Sequence, residues 1–389
     1  MLRLGPLLAA ACIALAPVPA RAADLGWEQW KAIPGALDVD GTRSDGSLIV
    51  AGSAALYLVD PQGTVTDFAR GPGGYHEDKG VEAYLAMSPG NHVSAAGCDF
   101  ARDDTFLLRM HVPLGVNRVS AAGDESGPFT NLTGVSALTG IAFDTVGDFD
   151  HRLLVMGVSG SRTTVFAVDC NGDAQVITST SPVLEGGIAV APRTFGSFGG
   201  DLIVPDEVSG RIYAFKPDGT RLVVLNPPLP AGVDVTLGGL GFVPAGFMSR
   251  GGAVYHADHK TAGSSFPGND VVLRLTSAQL QGAGVQDGDL LAAVESGGAT
   301  IAVHCDSTCT ARRLTSPTTA HGEGHFAFTM TALPASPSPK APGPAGGGPT
   351  LSPEIVDFVG DWGISIAAVG LLGAMLAILG VQGIRRRRS

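Results

Sequence analysis

Two stretches of this 389-residue chain follow one frame. GIAFDTVGDFDHRLLVMGVSGSRTTVFAVDCNGD begins at Gly140, and GIAVAPRTFGSFGGDLIVPDEVSGRIYAFKPDGT begins at Gly187. Each reads as strand, loop, strand, loop, strand, then a glycine-bearing turn into a fourth strand, with a Gly-x-Phe ahead of the second strand. A unit of this size cannot bury its apolar faces alone and must stack on copies of itself. Other segments fit the frame: VEAYLAMSPG from Val81, GLGFVPAGFMSRGGAVYHAD from Gly239, and DGDLLAAVESGGATIAVHCDSTCTARRL from Asp287. DGSLIVAGSAALYLVDPQGTVTDF, from Asp45, matches the second, third and fourth strands and lacks a first. With 55 glycines and almost no helical periodicity before residue 334, the body reads as all-β.

Four short strands every roughly 50 residues is the period of propeller blades. The expected fold is a β-propeller of six four-stranded blades; five is the alternative, because the last blade shows no obvious inner strand. EGHFAF (Glu323–Phe328) aligns with EGGIAV (Glu185–Val190), an innermost strand. The C-terminal strand is therefore expected to join the N-terminal blade and close the ring, which removes free sheet edges. The WD dipeptide and the kelch motif are missing.

The flanks give the expected topology. Residues 1–22 carry Arg3, a short apolar run and Ala20-Arg21-Ala22, the pattern of a secretory signal peptide; a lipoprotein cysteine at Cys12 is the alternative. Trp362 to Ile384 is an uncharged run of 23 residues, long enough for a transmembrane helix. Arg385 to Arg388 follow and mark residues 385–389 as a basic cytoplasmic tail. Residues 334–353 are rich in proline and glycine, a spacer able to hold the body about 60 Å from a bilayer. The expectation is a single-pass plasma-membrane protein with its body, residues 23–333, outside.

The net charge of −11 and the lack of basic patches in the body argue against nucleic acid as a partner. Cys98, Cys170, Cys305 and Cys309 remain after signal removal, an even number in an exported chain, which points to disulfides. Cys305 and Cys309 are spaced to close a turn, leaving Cys98 with Cys170. Asn131 begins an NLT glycosylation sequon.

The aligned inner strands EAYLAM, EGGIAV and EGHFAF begin with Glu82, Glu185 and Glu323. Equivalent positions converge on a propeller axis, and three carboxylates at one level repel one another unless a cation, protonation or an arginine neutralises them. These three are the expected metal ligands, for calcium or another divalent cation with oxygen ligands; the alternative is that each caps a backbone amide. His321 and His325 flank Glu323 on the same face of a regular strand. His256, Asp258 and His259 precede the insertion TAGSSFPGND, a candidate lid or binding loop. His76 and Glu77 lead into an inner strand, and Asp206 and Glu207 sit in a second-to-third-strand loop. All are expected to gather at one channel mouth.

GEGHF resembles the first metal-binding strand of the gluconolactonase and senescence-marker group. EGGIAVAP followed by SGRIYAF resembles strictosidine-synthase-like and NHL propellers. The resemblance implies six blades, an axial divalent cation held by Glu323, and hydrolysis of lactones or esters. The asparagine and aspartate ligands of that group's other blades have no clear counterpart. Two functions follow. One is a membrane-anchored cell-surface module that binds an extracellular ligand or protein. The other is a metal-dependent lactonase or esterase, with the cation polarising a carbonyl and activating water. A quinone-dependent sugar dehydrogenase lacks an assignable histidine–arginine pair, and no GxSxG, Walker loop or HExxH occurs.

Overall fold

The repeat frame is realised as sheets in which successive residues pack in opposite directions. In Leu153–Met156, Leu153 and Val155 enter one apolar core while Leu154 and Met156 enter the next. Leu290 and Ala292 face one core, and Leu291 and Ala293 another. Strands buried on both faces need continuous apolar runs, which is why LLVM and LLAAV appear in place of a polar alternation. Each Leu or Val so buried contributes about 1.5–3 kcal/mol.

The computed structural model describes residues 25–76, 83–227, 229 and 237–331. The expected signal peptide, spacer, transmembrane helix and basic tail lie outside them. Among the described residues, no helix is long and apolar enough to cross a membrane.

The chain begins with β1 (Glu28–Ala32). The first blade is β2 (Asp38–Asp40), β3 (Leu48–Gly52), β4 (Ala55–Val59) and β5 (Val65–Phe68). The second holds β6 (Leu85–Met87), β9 (Thr105–Arg109), β10 (Gly115–Val119) and β11 (Ser126–Asn131), with a small hairpin, β7 (His92–Val93) and β8 (Cys98–Asp99), between β6 and β9. The third is β12 (Ala137–Phe143), β13 (Leu153–Ser159), β14 (Arg162–Val168) and β15 (Ala174–Ser181). The fourth is β16 (Ala189–Val190), β17 (Leu202–Pro205), β18 (Ile212–Phe215) and β19 (Arg221–Leu225). Eight strands then share one sheet: β1 with β20 (Leu237–Phe242), β21 (Gly252–Asp258), β22 (Val271–Thr276), β23 (Leu290–Val294), β24 (Thr300–Cys305), β25 (Cys309–Arg313) and β26 (Gly322–Met330). The protein is an all-β propeller, and apolar cores between successive sheets run round the ring.

Closure differs from the expectation. β26 pairs antiparallel with β21, and β1 pairs with β22, so strands from both flanks complete one antiparallel run and not the first blade. The first blade has its own inner strand, β2, a three-residue DVD too short and acidic to read as a strand. β20, which the sequence frame joins to residues 252–258, pairs instead with β23. It meets β26 only in parallel, at Gly239–Gly324 and Leu240–His325. The chain therefore leaves β20 for β21 and β22 before returning to β23. A capping box on the short helix α1 (Ser277–Gly282), with Thr276 and Gln279 reciprocally bonded, makes that return turn.

Both expected disulfides are present. Cys98–Cys170 ties the β7–β8 hairpin to the turn after β14, and Cys305–Cys309 closes the β24–β25 turn.

Carboxylates of β2 replace a backbone ladder between inner strands. Asp38 Oδ2 accepts from the Leu85 amide at 2.9 Å, and Asp40 Oδ2 from the Met87 amide at 2.7 Å. Asp38 Oδ1 also accepts from the amides of Val39 and His325, at 2.8 and 2.7 Å. This buried carboxylate thus binds β2, β6 and β26 together. Asp38→Ala leaves buried donors unpaired and is expected to lower stability by about 3–5 kcal/mol. Denaturant unfolding measures it, and a loss below about 1 kcal/mol would show the tie to be unimportant.

Candidate metal centre at the channel mouth

One face of the ring gathers the second-to-third-strand loops and the segments leading into the inner strands. There β23 ends at Val294, and Glu295 begins the turn Glu295-Ser296-Gly297-Gly298. Both glycines have positive φ, 93° and 61°, which lets the turn fold back tightly. Ser296 bridges to His321, and the Gly322 amide donates to the Glu295 carbonyl at 2.8 Å. From the other side the His321 amide donates to Asp258 Oδ1 at 2.8 Å, and the His259 amide to the His321 carbonyl at 2.8 Å. Backbone bonds from two loops fix the His321–Glu323 segment before any side chain is considered.

Three side chains converge here. His321 Nε2 lies 2.9 Å from Glu295 Oε1 and 3.2 Å from Glu323 Oε1. The Tyr84 hydroxyl donates to the other Glu323 oxygen at 2.7 Å. Side-chain exposure is 11% for Glu295, 5% for His321 and 6% for Glu323. Two carboxylates so enclosed require a positive charge between them. Burial works against a charged imidazole, but the hydrogen bonds to Glu295 and Glu323 outweigh it and raise the His321 pKa to about 10. A proton thus fills the role that a cation would take.

The donor set also fits a cation. Among the described residues, this is the one group of three whose ligand atoms all lie within 4.8 Å of one another. Ligand atoms about 2.0–2.1 Å from a tetrahedral metal are roughly 3.3 Å apart, close to the 2.9 and 3.2 Å here. An imidazole with two carboxylates suits zinc or manganese better than calcium, which prefers six or more oxygens. Tyr84 orients Glu323 from behind, as an outer-shell donor does. In one respect the set departs from the usual pattern: His321 Nδ1 has no hydrogen-bond partner.

The other expected residues divide. Glu82 and Glu77 lie outside the described residues. Glu185 is half-buried ahead of β16 and is not one of the three. At this level the axis is filled by backbone: a Cβ on Gly187 would sit 2.1 Å from the Gly324 carbonyl oxygen. Asp206 closes its own turn, accepting from the amides of Val208 and Ser209 at 3.0 Å and from the Ser209 hydroxyl, with Glu207 half-buried beside it. His76 is exposed. His259 Nδ1 lies 3.2 Å from the Ala36 carbonyl. Asp258 anchors the His321 amide as described, and burial raises its pKa.

His256 and His325 do not reach the mouth. His256 is fully buried, stacked on Phe326 at 4.4 Å, and burial drives its pKa down to about 4. His325 leaves the face of Glu323 because the strand kinks between them. Gly324 has φ +70°, and the β21–β26 register shifts there. Only glycine fits, since a Cβ would lie 2.1 Å from Asp38 Oδ1. His325 instead turns to Asp38, with Nδ1 2.9 Å from Oδ2.

Sequence reasoning missed Glu295, Tyr84 and Asp38. Glu295 had a signal, an acid at the junction of an apolar strand and a Gly-Gly turn, but its proximity to Glu323 follows only from the interleaved strand order.

The pH dependence follows from His321. Its folded pKa lies above the ordinary 6.5, so its charge contributes fully below pH 6.5 and is lost as pH rises through about 10. In chelator-treated protein, stability should fall across that window, and His321→Asn should flatten the fall. Equal pH slopes for the two proteins, in denaturant titrations at pH 6 to 10, would contradict this.

No protein-family profile matches the chain, and no curated protein does. Among solved structures, a catalytically inactive virginiamycin B lyase from Staphylococcus aureus with quinupristin is similar at 11% identity. It covers 75% of this chain and 77% of its own, with a TM-score of 0.42. A putative gluconolactonase is 11% identical over 75% and 82% of the two chains, with a TM-score of 0.43. The periplasmic gluconolactonase of Pseudomonas aeruginosa is 14% identical over 76% and 68%, with a TM-score of 0.35. These likenesses are remote.

Proposed function

We propose that the chain is an exported, membrane-anchored propeller that binds a small ligand at its channel mouth through a divalent cation. Counting the eight-stranded sheet as two blades makes the ring six-bladed. The carrying observation is the imidazole nitrogen of His321 held between the carboxylates of Glu295 and Glu323, all three enclosed. These residues would hold zinc or manganese, and the bound ion would supply a Lewis acid with free coordination positions. Tyr84 fixes the rotamer of Glu323, and Asp258 fixes the backbone of His321. The insertion at residues 261–270 is tied beside the site, with the Gly268 amide bonded to the Thr319 carbonyl at 3.0 Å.

The two disulfides suit an oxidising compartment, in keeping with export. The apolar run 362–384 and its arginines supply the anchor of this reading, with the body outside the plasma membrane.

A metal-dependent hydrolase of lactones or esters is the second reading. It is favoured by the ligand count: three protein side chains are the number that catalytic zinc sites use, leaving a position for water.

Elemental analysis of the purified full-length chain should find one zinc or manganese ion. Chelation should lower the melting temperature by roughly 5 °C, and Glu323→Gln should fold without binding the ion. No bound ion, with melting unchanged by added zinc, manganese or calcium, would overturn the proposal. Under the second reading, a panel of lactones and esters should show turnover that chelation abolishes. Turnover surviving chelation would exclude that reading while leaving the binding site to the metal analysis.

A further inference from the structure

A cavity of about 280 Å³ opens at the other end of the channel, where the inner strands finish. Its wall is largely apolar and aromatic, with Met87, Phe143, Phe242 and Phe326 among the lining residues. Three polar side chains break that surface, Asp40, Thr145 and His325. The axial contact of Gly187 with Gly324 lies between this cavity and the Glu295–His321–Glu323 cluster along β26.

Asp40 and His325 are held rigidly. Asp40 accepts from the amides of Gly41 and Met87, each at 2.7 Å. His325 is 8% exposed and commits Nδ1 to Asp38, which fixes the ring against the cavity wall. Nε2 is itself fully buried.

The charge count sets the ligand class. Asp38 and Asp40 bring two carboxylates to one imidazole, and no lysine or arginine lines the cavity. Asp38 does not line the cavity but pairs with His325 behind it, so the carboxylate of Asp40 leaves the floor negative whether the ring is neutral or charged. A negative floor beneath three phenylalanine rings is complementary to an organic cation, since carboxylate and ring faces both attract positive charge. We infer that this end of the channel is a second binding site, for a small organic cation with an apolar or aromatic body. The site is independent of the cation cluster at the opposite mouth.

The test is calorimetric titration of the full-length chain with 2-phenylethylammonium, 2-phenylethanol and phenylacetate, which share a ring and differ in charge. The ammonium should bind saturably, at least tenfold more tightly than the alcohol, with phenylacetate weakest. Asp40→Asn, which keeps the shape and removes the charge, should weaken ammonium binding at least tenfold and leave the alcohol unchanged. Ala189→Phe fills the cavity and should abolish ammonium binding with melting within a few degrees of the parent. Chelation should change none of these affinities. Absence of saturable ammonium binding would overturn the inference, as would equal or tighter binding of the alcohol or the acid. Undiminished binding in Ala189→Phe would overturn it too, and that variant decides the matter if Asp40→Asn fails to fold.

Discussion

The buried carboxylate of Asp38 is the constraint around which the ring is organised. Inner strands of neighbouring blades run side by side towards the axis, and their amides need acceptors that a regular ladder does not supply there. Asp38 provides them for Leu85 and His325 while satisfying its own neighbour Val39. Asp40, two residues on, does the same for Met87. The spacing of two in Asp38-Val39-Asp40 matches the strand period, so both carboxylates face the axis while Val39 enters the core between sheets. The close approach of Asp38 in turn dictates glycine at 324, and the kink at Gly324 sends Glu323 and His325 to opposite ends of the channel.

The same geometry yields two different chemical environments on one strand. At the mouth, two carboxylates share one imidazole nitrogen, an arrangement stable only with a positive charge at its centre. A metal would compete with the proton for that position, and its uptake would release the proton from His321. Interleaving of strands makes the meeting possible: Glu295 comes from the run containing β23, and His321 and Glu323 from the run completed by β26. At the far end the imidazole of His325 is held at Nδ1 by Asp38, and the ring forms part of the wall of a mainly apolar cavity.

The blade frame was legible because doubly buried strands demand uninterrupted apolar runs, and LLVM, LIVP and LLAAV are such runs. The Cys305–Cys309 disulfide was legible from its spacing, and Cys98–Cys170 only as the pair left over. The closure was not. β2 is three residues with an acid at each end, and its stability comes from amides on another strand, which no local pattern records. The route from β20 to β21 was hidden for a similar reason, since Gly239 to Asp258 fits the blade frame as well as it fits the observed crossing. Of the candidate ligands, Glu323 and His321 were visible as an alternating pair. Glu295 was not, because its place depends on the turn at Gly297 and Gly298 and on that crossing. His256 had the composition of a ligand and the burial of a core residue, a distinction made by its stacking on Phe326.

The most direct test of the metal centre is anomalous diffraction from crystals of the zinc-loaded chain. The account predicts a single strong peak about 2.0–2.2 Å from His321 Nε2 and from a carboxylate oxygen of each of Glu295 and Glu323. A chain that takes up no zinc at that position, with His321 still bridging the two carboxylates directly, would make the cluster a buried ion pair and contradict it.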